Sequence, residues 1–279
     1  MKVLRVLVAC EESQAVCKEF RRLGHEAYSC DVQECSGGHP EWHHTGDVLP
    51  LLKLQWDLMI AFPPCTYLCS SGMHWTTRGL RDPQLTEDAL ELVSTLLNSK
   101  IAAIALENPV GCISSRIRKP EQIIQPWYFG DDASKKTCLW LKGLPELDKT
   151  NIVPPNGWSK VAYASDMLEC EMCEEPFCPE HNDHYADCEC IGPTQDDATY
   201  KKICGVEFAS LLNEPPKPVW ANQTASGQNK LGPSPERAKL RSKTYSGIAR
   251  AMAEQWSAYL CEEHNGYDDL PLFGGLDNA

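Results

Sequence analysis

Short apolar runs punctuate the first half of the chain, each stopped by Gly, Pro or a polar cluster, and stretches with apolar residues at helical spacing lie between them. Residues 4–9 (Leu-Arg-Val-Leu-Val-Ala) predict a first strand. Residues 14–23 predict a helix, with Ser13 as its N-cap and Gly24 just past its end. Residues 25–31 predict a second strand closing on Asp31, which completes the opening βαβ unit of a nucleotide-type fold. Further strands fall at 56–61 and 101–106, with an amphipathic helix at 85–97 to cover the sheet. Residues 73–83 read as a loop and residues 246–258 as a helix. Such an alternation specifies an α/β architecture.

Two of these strands run into chemically reactive residues. The strand at 56–61 leads into Phe62-Pro63-Pro64-Cys65, where the prolines restrict the backbone and can hold a thiol in one orientation. The strand at 101–106 leads into Glu107-Asn108-Pro109. Neighbouring strands would therefore bring a thiol and a carboxyl to the carboxyl edge of the sheet, where open α/β sheets bind ligands. At the first turn, Cys10-Glu11-Glu12-Ser13 would direct backbone N–H groups of the helix start toward an anionic cofactor group, and Asp31 is placed to bind ribose hydroxyls.

From about Pro145 the pattern changes, as prolines, acids and cysteines replace the apolar runs. Cys170, Cys173, Cys178, His181, His184, Cys188 and Cys190 stand within a short span at CxxC and CxxH spacings, which suit zinc because residues separated by two can chelate one tetrahedral ion. One grouping is Cys170, Cys173, Cys178 and His181, with the remainder and Cys204 in a second site; the spacing does not choose the ligand sets. In a chain of 279 residues with 15 cysteines and no secretory leader, such a density points to thiols and metal instead of disulfides. No apolar run reaches the roughly 18 residues that span a bilayer, so a cytoplasmic protein without a membrane partner is expected.

The net charge of −13 is unusual for a protein that contacts phosphates. Basic residues nevertheless cluster at Arg116, Arg118 and Lys119, at Lys135 and Lys136, and from Arg237 to Lys243, while acids concentrate in 169–198 and in the tail.

The Pro-Pro-Cys loop, followed some forty residues later by a strand and Glu-Asn-Pro, resembles the DNA cytosine-5 methyltransferases, and most closely their short phage and prophage members. The resemblance implies a Rossmann-like S-adenosylmethionine-dependent methyltransferase fold with a small zinc-binding insert. It implies a catalytic core at 1–145, a zinc-binding target-recognition insert at 146–232, a closing segment of the core at 233–260 and a flexible acidic tail at 261–279. Cys65 is then the nucleophile, Glu107 the acid and Asn108 its positioner, and the Lys135-Lys136 turn stands where the family carries arginines, with Lys136 assigned to the target base. The cofactor corner comprises Cys10, Glu11, Ser13, Asp31, Asp47, Val48, Pro63 and Ser246. Asp31 resembles the ribose ligand, Asp47 the residue reading the adenine amino group, and Ser246 lies in the segment that returns to complete the pocket. The chain departs from the family in having no glycine between Leu4 and Leu23, and in lacking the Gly-Asn-Ser-Val of the closing motif.

The implied partner is DNA, in a bacterial host cell, with the gene carried by a phage or prophage. Leu270-Pro271-Leu272-Phe273 also resembles the short peptides that bind the bacterial sliding clamp. Three alternatives stay open on sequence: a non-catalytic zinc-dependent nucleic-acid-binding protein, an RNA substrate, and a modified S-adenosylmethionine donor. Methylases of exocyclic amino groups are less favoured, because they place an aromatic residue after Pro-Pro.

Overall fold

A computed structural model describes residues 2–158, 218–224, 229–231 and 242–268. The proposed zinc ligands from Cys170 to Cys190 and the Leu270-Pro271-Leu272-Phe273 peptide lie outside the described residues. Among the described residues no group of three or more His, Cys, Asp or Glu is placed to hold a metal ion, and no helix is long and apolar enough to cross a membrane.

The chain divides into two compact units. The first, Met1–Gln125 with Lys135–Thr150 and Arg241–Ala279, is built on a seven-stranded sheet. Its strands are β1 (Arg5–Ala9), β2 (Glu26–Asp31), β3 (His43–Thr45), β4 (Leu58–Ala61), β5 (Ala103–Pro109), β6 (Gln122–Ile124) and β7 (Thr137–Lys142), in the spatial order β3-β2-β1-β4-β5-β7-β6. The pairings β1–β2, β2–β3, β1–β4 and β4–β5 are parallel, whereas β7 runs antiparallel to both β5 and β6. The order reverses between β1 and β4, which makes the carboxyl ends of these two strands the switch point where a doubly wound sheet receives ligands.

The apolar runs become strands because both faces of the central sheet are covered. On one face, Leu7, Met59, Ile104 and Trp140 pack with Leu90, Val93 and Leu96 of helix α3 (Gln84–Leu97). The other face takes the alternate residues, among them the fully buried Val6, Val8, Leu58 and Ile60. Helix α1 (Ala15–Arg22) packs on the long helix α5 (Ser246–Asp268). Val16, Cys17 and Phe20 of α1 and Met252, Ala253 and Trp256 of α5 are fully buried, and the Trp256 indole donates to the Pro145 carbonyl at 3.0 Å. Helix α2 (Ser70–Thr77) and the one-turn α4 (Ile113–Arg116) lie beyond β4 and β5.

Three expectations change. The segment at 73–83 does not begin as a loop, because α2 occupies Ser70–Thr77. Gly72 is what permits that helix: a Cβ there would stand 2.0 Å from the Thr66 carbonyl oxygen. Strand β5 continues through Glu107 and Asn108 to Pro109, held there by β7, so the acid is part of the sheet and not of a loop. The last helix runs to Asp268, past the start expected for the tail.

The second unit comprises Pro126–Ser134 and Asn151–Leu240. Within it the Trp127 and Trp220 rings stack at 5.3 Å, Asp132 accepts from Asn156 and from the Ala221 amide, and Ser134 exchanges two hydrogen bonds with Asn222. The two-residue strands β8 (Gly157–Trp158) and β9 (Pro218–Val219) pair antiparallel.

Candidate active site

Adjacent strands β4 and β5 deliver the central pair. Ala61, the last residue of β4, pairs with Leu106, so Glu107 follows the paired position directly and Cys65 comes four residues after Ala61. Cys65 opens a 3-10 turn (Cys65–Tyr67), and its carbonyl accepts from the Leu68 and Cys69 amides at 3.0 and 2.9 Å. The turn is anchored from three sides. Asn108, 1 % exposed, donates from Nδ2 to the Pro63 carbonyl at 2.7 Å. Cys69 bridges Gly111, while the Cys112 amide donates to Leu68 O and the Ser70 amide to Val110 O. Arg81 donates to the Thr66 carbonyl at 3.1 Å and lies over the Tyr67 ring. Gly111 has no room for a side chain, since a Cβ would stand 2.0 Å from the Leu68 carbonyl oxygen. Asn108 thus ties the end of β5 to the loop that carries Cys65, by holding the carbonyl two residues before it.

Beside this turn, Lys135 Nζ lies 3.9 Å from Glu107 Oε1. Register explains why the lysine is Lys135. Glu107 pairs with Leu139 and Pro109 with Thr137 across β5 and β7, and paired residues share a face of the sheet. Thr137 and Leu139 thus share the face of Glu107, and Lys135, two residues before β7 begins, brings its Nζ to that carboxyl group. Lys136, which the resemblance assigns to the target base, is exposed, and Lys135 is the lysine that stands at the Glu107 carboxyl group. The Gln125 side chain fixes this lysine by accepting its amide N–H at 2.9 Å.

The electrostatics follow from burial. Desolvation raises Glu107 above the usual carboxylate range, against the opposing pull of Lys135 and a hydrogen bond with Thr137. The Cys65 thiol is held well above its ordinary value, first by its hydrogen bond with the Cys69 thiol, then by burial and the charges of Cys69 and Glu107, with Lys135 acting in the opposite sense. Burial thus favours the neutral forms of both Glu107 and Cys65, and Lys135 acts against it at each.

The proposed cofactor residues divide into two groups. Cys10, Asp31 and Asp47 come together at the carboxyl ends of β1, β2 and β3: burial and the nearby Asp31, Cys30 and Asp47 push the Cys10 thiol up to about 12. Val48 is buried next to this corner, and Pro63 is buried at the end of β4. Asp31 and Asp47 each accept an amide two residues on, from Gln33 and Leu49. Glu11 and Ser13 instead face the helix. The Glu11 carboxylate, 4 % exposed, accepts the amides of Val16 and Cys17 at 2.7 and 3.2 Å, and Ser13 Oγ accepts that of Ala15. The N-cap is Gln14, which bonds Ser29 and His39. The helix start expected to hold an anionic group thus has its own carboxylate in that place. Ser246 is exposed at the start of α5, the helix packed on α1.

Cys10 and Gln14 have φ of 59° and 56°, left-handed values that non-glycine residues reach at a cost of about 1–2 kcal/mol. The glycine-free loop therefore reaches its turn with strained residues. Sequence reasoning gave no role to Cys69 or Thr137 and did not place Lys135 at the acid, since that contact follows from the pairing of β5 with β7.

No family model and no curated protein sequence matches this chain. Among solved structures, the Entamoeba histolytica methyltransferase EhMeth is similar over 95% of this chain and 99% of its own, at 11% identity and a TM-score of 0.47. The S. pombe Dnmt2 methyltransferase is similar over 96% of this chain and 100% of its own, at 12% identity and a TM-score of 0.38. Both of these are methyltransferases. At such identities and overlaps, chemistry has to be read from this chain's own residues.

Proposed function

We propose that this protein transfers a methyl group from S-adenosylmethionine to carbon 5 of cytosine in DNA, with Cys65 adding to carbon 6 of a base turned out of the duplex. The observation that carries this reading is the convergence of Cys65, Glu107 and Lys135 at one edge of the sheet, beside the switch point. Carbon 5 of cytosine is a poor nucleophile until a thiolate adds at carbon 6, and that addition places negative charge on the ring. A carboxyl whose proton is held more firmly by burial can donate it to ring nitrogen 3 as the charge builds, and desolvation raises Glu107 in that direction. Lys135 stabilises Glu107 once the proton has left, and favours the thiolate of Cys65 beforehand. Asn108 holds the loop so that the sulfur stays at one position. Turning the base out costs on the order of a few kcal/mol, which contacts in the pocket must offset.

The cofactor corner suits a cationic donor. Asp31 and Asp47 make the surroundings of Cys10 negative, and the α1 amides that would cradle a phosphate are already held by Glu11. A sulfonium-bearing nucleoside fits this charge better than a dinucleotide or nucleoside phosphate, and Asp31 at the end of β2 is the residue to hold its ribose. When bound, S-adenosylmethionine supplies the methyl group. Cys170, Cys173, Cys178, His181, His184, Cys188 and Cys190 are assigned to zinc on their spacing, in a module that reads the DNA around the target base. Metal analysis of purified protein should find zinc at one or more equivalents per chain, and a preparation that remains active with none would refute that assignment.

Methyl transfer itself is tested by incubating the protein with duplex DNA and S-adenosylmethionine, then separating the nucleosides by mass spectrometry. The expected product is 5-methyl-2′-deoxycytidine, absent with Cys65→Ala. A methyl group on the exocyclic amine, or product that survives in Cys65→Ala, would reject the mechanism.

A further inference from the structure

Cys69 has no part in the chemistry above, yet its thiol is hydrogen-bonded to that of Cys65. The two residues span one turn of backbone, with the Cys69 amide donating to the Cys65 carbonyl at 2.9 Å. A turn closed by such a bond separates its end Cα atoms by about 6 Å, inside the 4.4–6.8 Å range of disulfides. Both side chains are half-buried, whereas Cys17, Cys30, Cys138 and Cys261 are buried. Neither sulfur is in a disulfide in the structure. Cys112 is the other thiol close by: it follows Gly111, which bridges Cys69, and Cys69 acts on its thiol, but Cys112 lies more than forty residues along the chain, whereas Cys65 and Cys69 belong to one turn.

We propose that Cys65 and Cys69 form a reversible intramolecular disulfide, making Cys69 the resolving thiol that takes the nucleophile out of action under oxidation by hydrogen peroxide. The minor thiolate form of Cys65, which Lys135 favours against Cys69 and burial, attacks the peroxide, its sulfur is oxidised to the sulfenic acid, and the O–O bond breaks to release hydroxide. Cys69 thiolate then attacks the sulfenic sulfur, the S–S bond forms, and a second hydroxide leaves. With the two thiol protons the balance is two thiols and one peroxide giving one disulfide and two waters. A dithiol reductant reverses it by exchange, becoming oxidised itself while both cysteines regain protons. The short connection confines closure to the turn, so β4 and β5 need not move. The consequence for activity rests on the role proposed for Cys65, but the bond itself does not.

The test uses the full-length protein treated with hydrogen peroxide, then alkylated and digested with trypsin. Cleavage after Lys53 and Arg78 leaves Cys65 and Cys69 as the two cysteines of one peptide, while Cys112 falls in another. The expected result is that this peptide loses two hydrogens, takes up no alkylating agent, and regains both alkylation sites after dithiothreitol. In Cys69→Ser, the same treatment should carry Cys65 to the sulfinic acid, which dithiothreitol does not reverse. A cross-link joining the Cys69 and Cys112 peptides would overturn the proposal, as would separate over-oxidation of Cys65 and Cys69 in the unsubstituted protein. Because the readout is mass, absence of methyl transfer would count against the proposed function while leaving this result intact.

Discussion

At the level of single residues, the chemistry is set by which groups face one another. Lys135 reaches the Glu107 carboxyl group, whereas Lys136 is exposed. Lys135→Ala should lower methyl transfer on the order of a hundredfold, the usual worth of one group stabilising charge in a reaction, with little change in melting temperature. Lys136→Ala should leave the turnover near that of the parent protein; equal losses in the two variants would contradict the assignment. Glu11 supplies a second residue-scale prediction. Burial raises it from 4.5 to about 7 even though two amides bind its carboxylate. Between those values the folded chain holds a proton that the unfolded chain has released, so the Glu11 contribution to stability is fully present below about 4.5 and is lost as pH rises through about 7. Glu11→Gln removes the titration. The stability of the parent relative to this variant, from denaturant melts, should therefore decline between pH 5 and pH 8, and a constant difference would show that Glu11 is not perturbed.

At the scale of elements, the site is a loop pinned between two strands. Its closeness to β5 depends on Gly111, where a Cβ would collide with the Leu68 carbonyl, and on Gly72, which lets α2 begin against Thr66. Gly111→Ala should destabilise the fold by roughly 1–3 kcal/mol through overpacking against backbone, and should reduce turnover further by displacing Cys65. Full activity and an unchanged denaturation midpoint would mean that the loop is not held in this way. Much at this scale was legible in advance. The apolar runs at 4–9, 56–61 and 101–106 fall on β1, β4 and β5, because strands buried on both faces are apolar throughout. Helix α2 was not legible, since Ser70-Ser71-Gly72 carries loop chemistry and the helix exists by packing on the Cys65 turn. The extension of β5 through Glu107 to Pro109 was equally hidden, as it comes from pairing with β7 about thirty residues later.

At the scale of the whole molecule, the spatial order β3-β2-β1-β4-β5-β7-β6 puts the Cys10, Asp31 and Asp47 corner and the Cys65, Glu107 and Lys135 group on the carboxyl side of neighbouring strands. Sequence alone brought the thiol and the carboxyl to a shared edge, because each follows an apolar run that had to be a strand. It could not show that Glu11 caps α1, which requires the loop to turn back through the left-handed residues Cys10 and Gln14. That reversal gives the α1 amides to the Glu11 carboxylate, so the anionic group at the helix start is the chain's own side chain.

The central claim is that Cys65 becomes covalently bound to a cytosine during methyl transfer. Duplex DNA carrying 5-fluorocytosine tests it directly, because fluorine at carbon 5 cannot leave as a proton does and the adduct is trapped. With S-adenosylmethionine present, intact mass should show a protein–DNA conjugate bearing one added methyl group, and digestion should place the link at Cys65. No conjugate with the parent protein, while binding of both DNA and S-adenosylmethionine is demonstrated, or an equal yield from Cys65→Ala, would contradict the account.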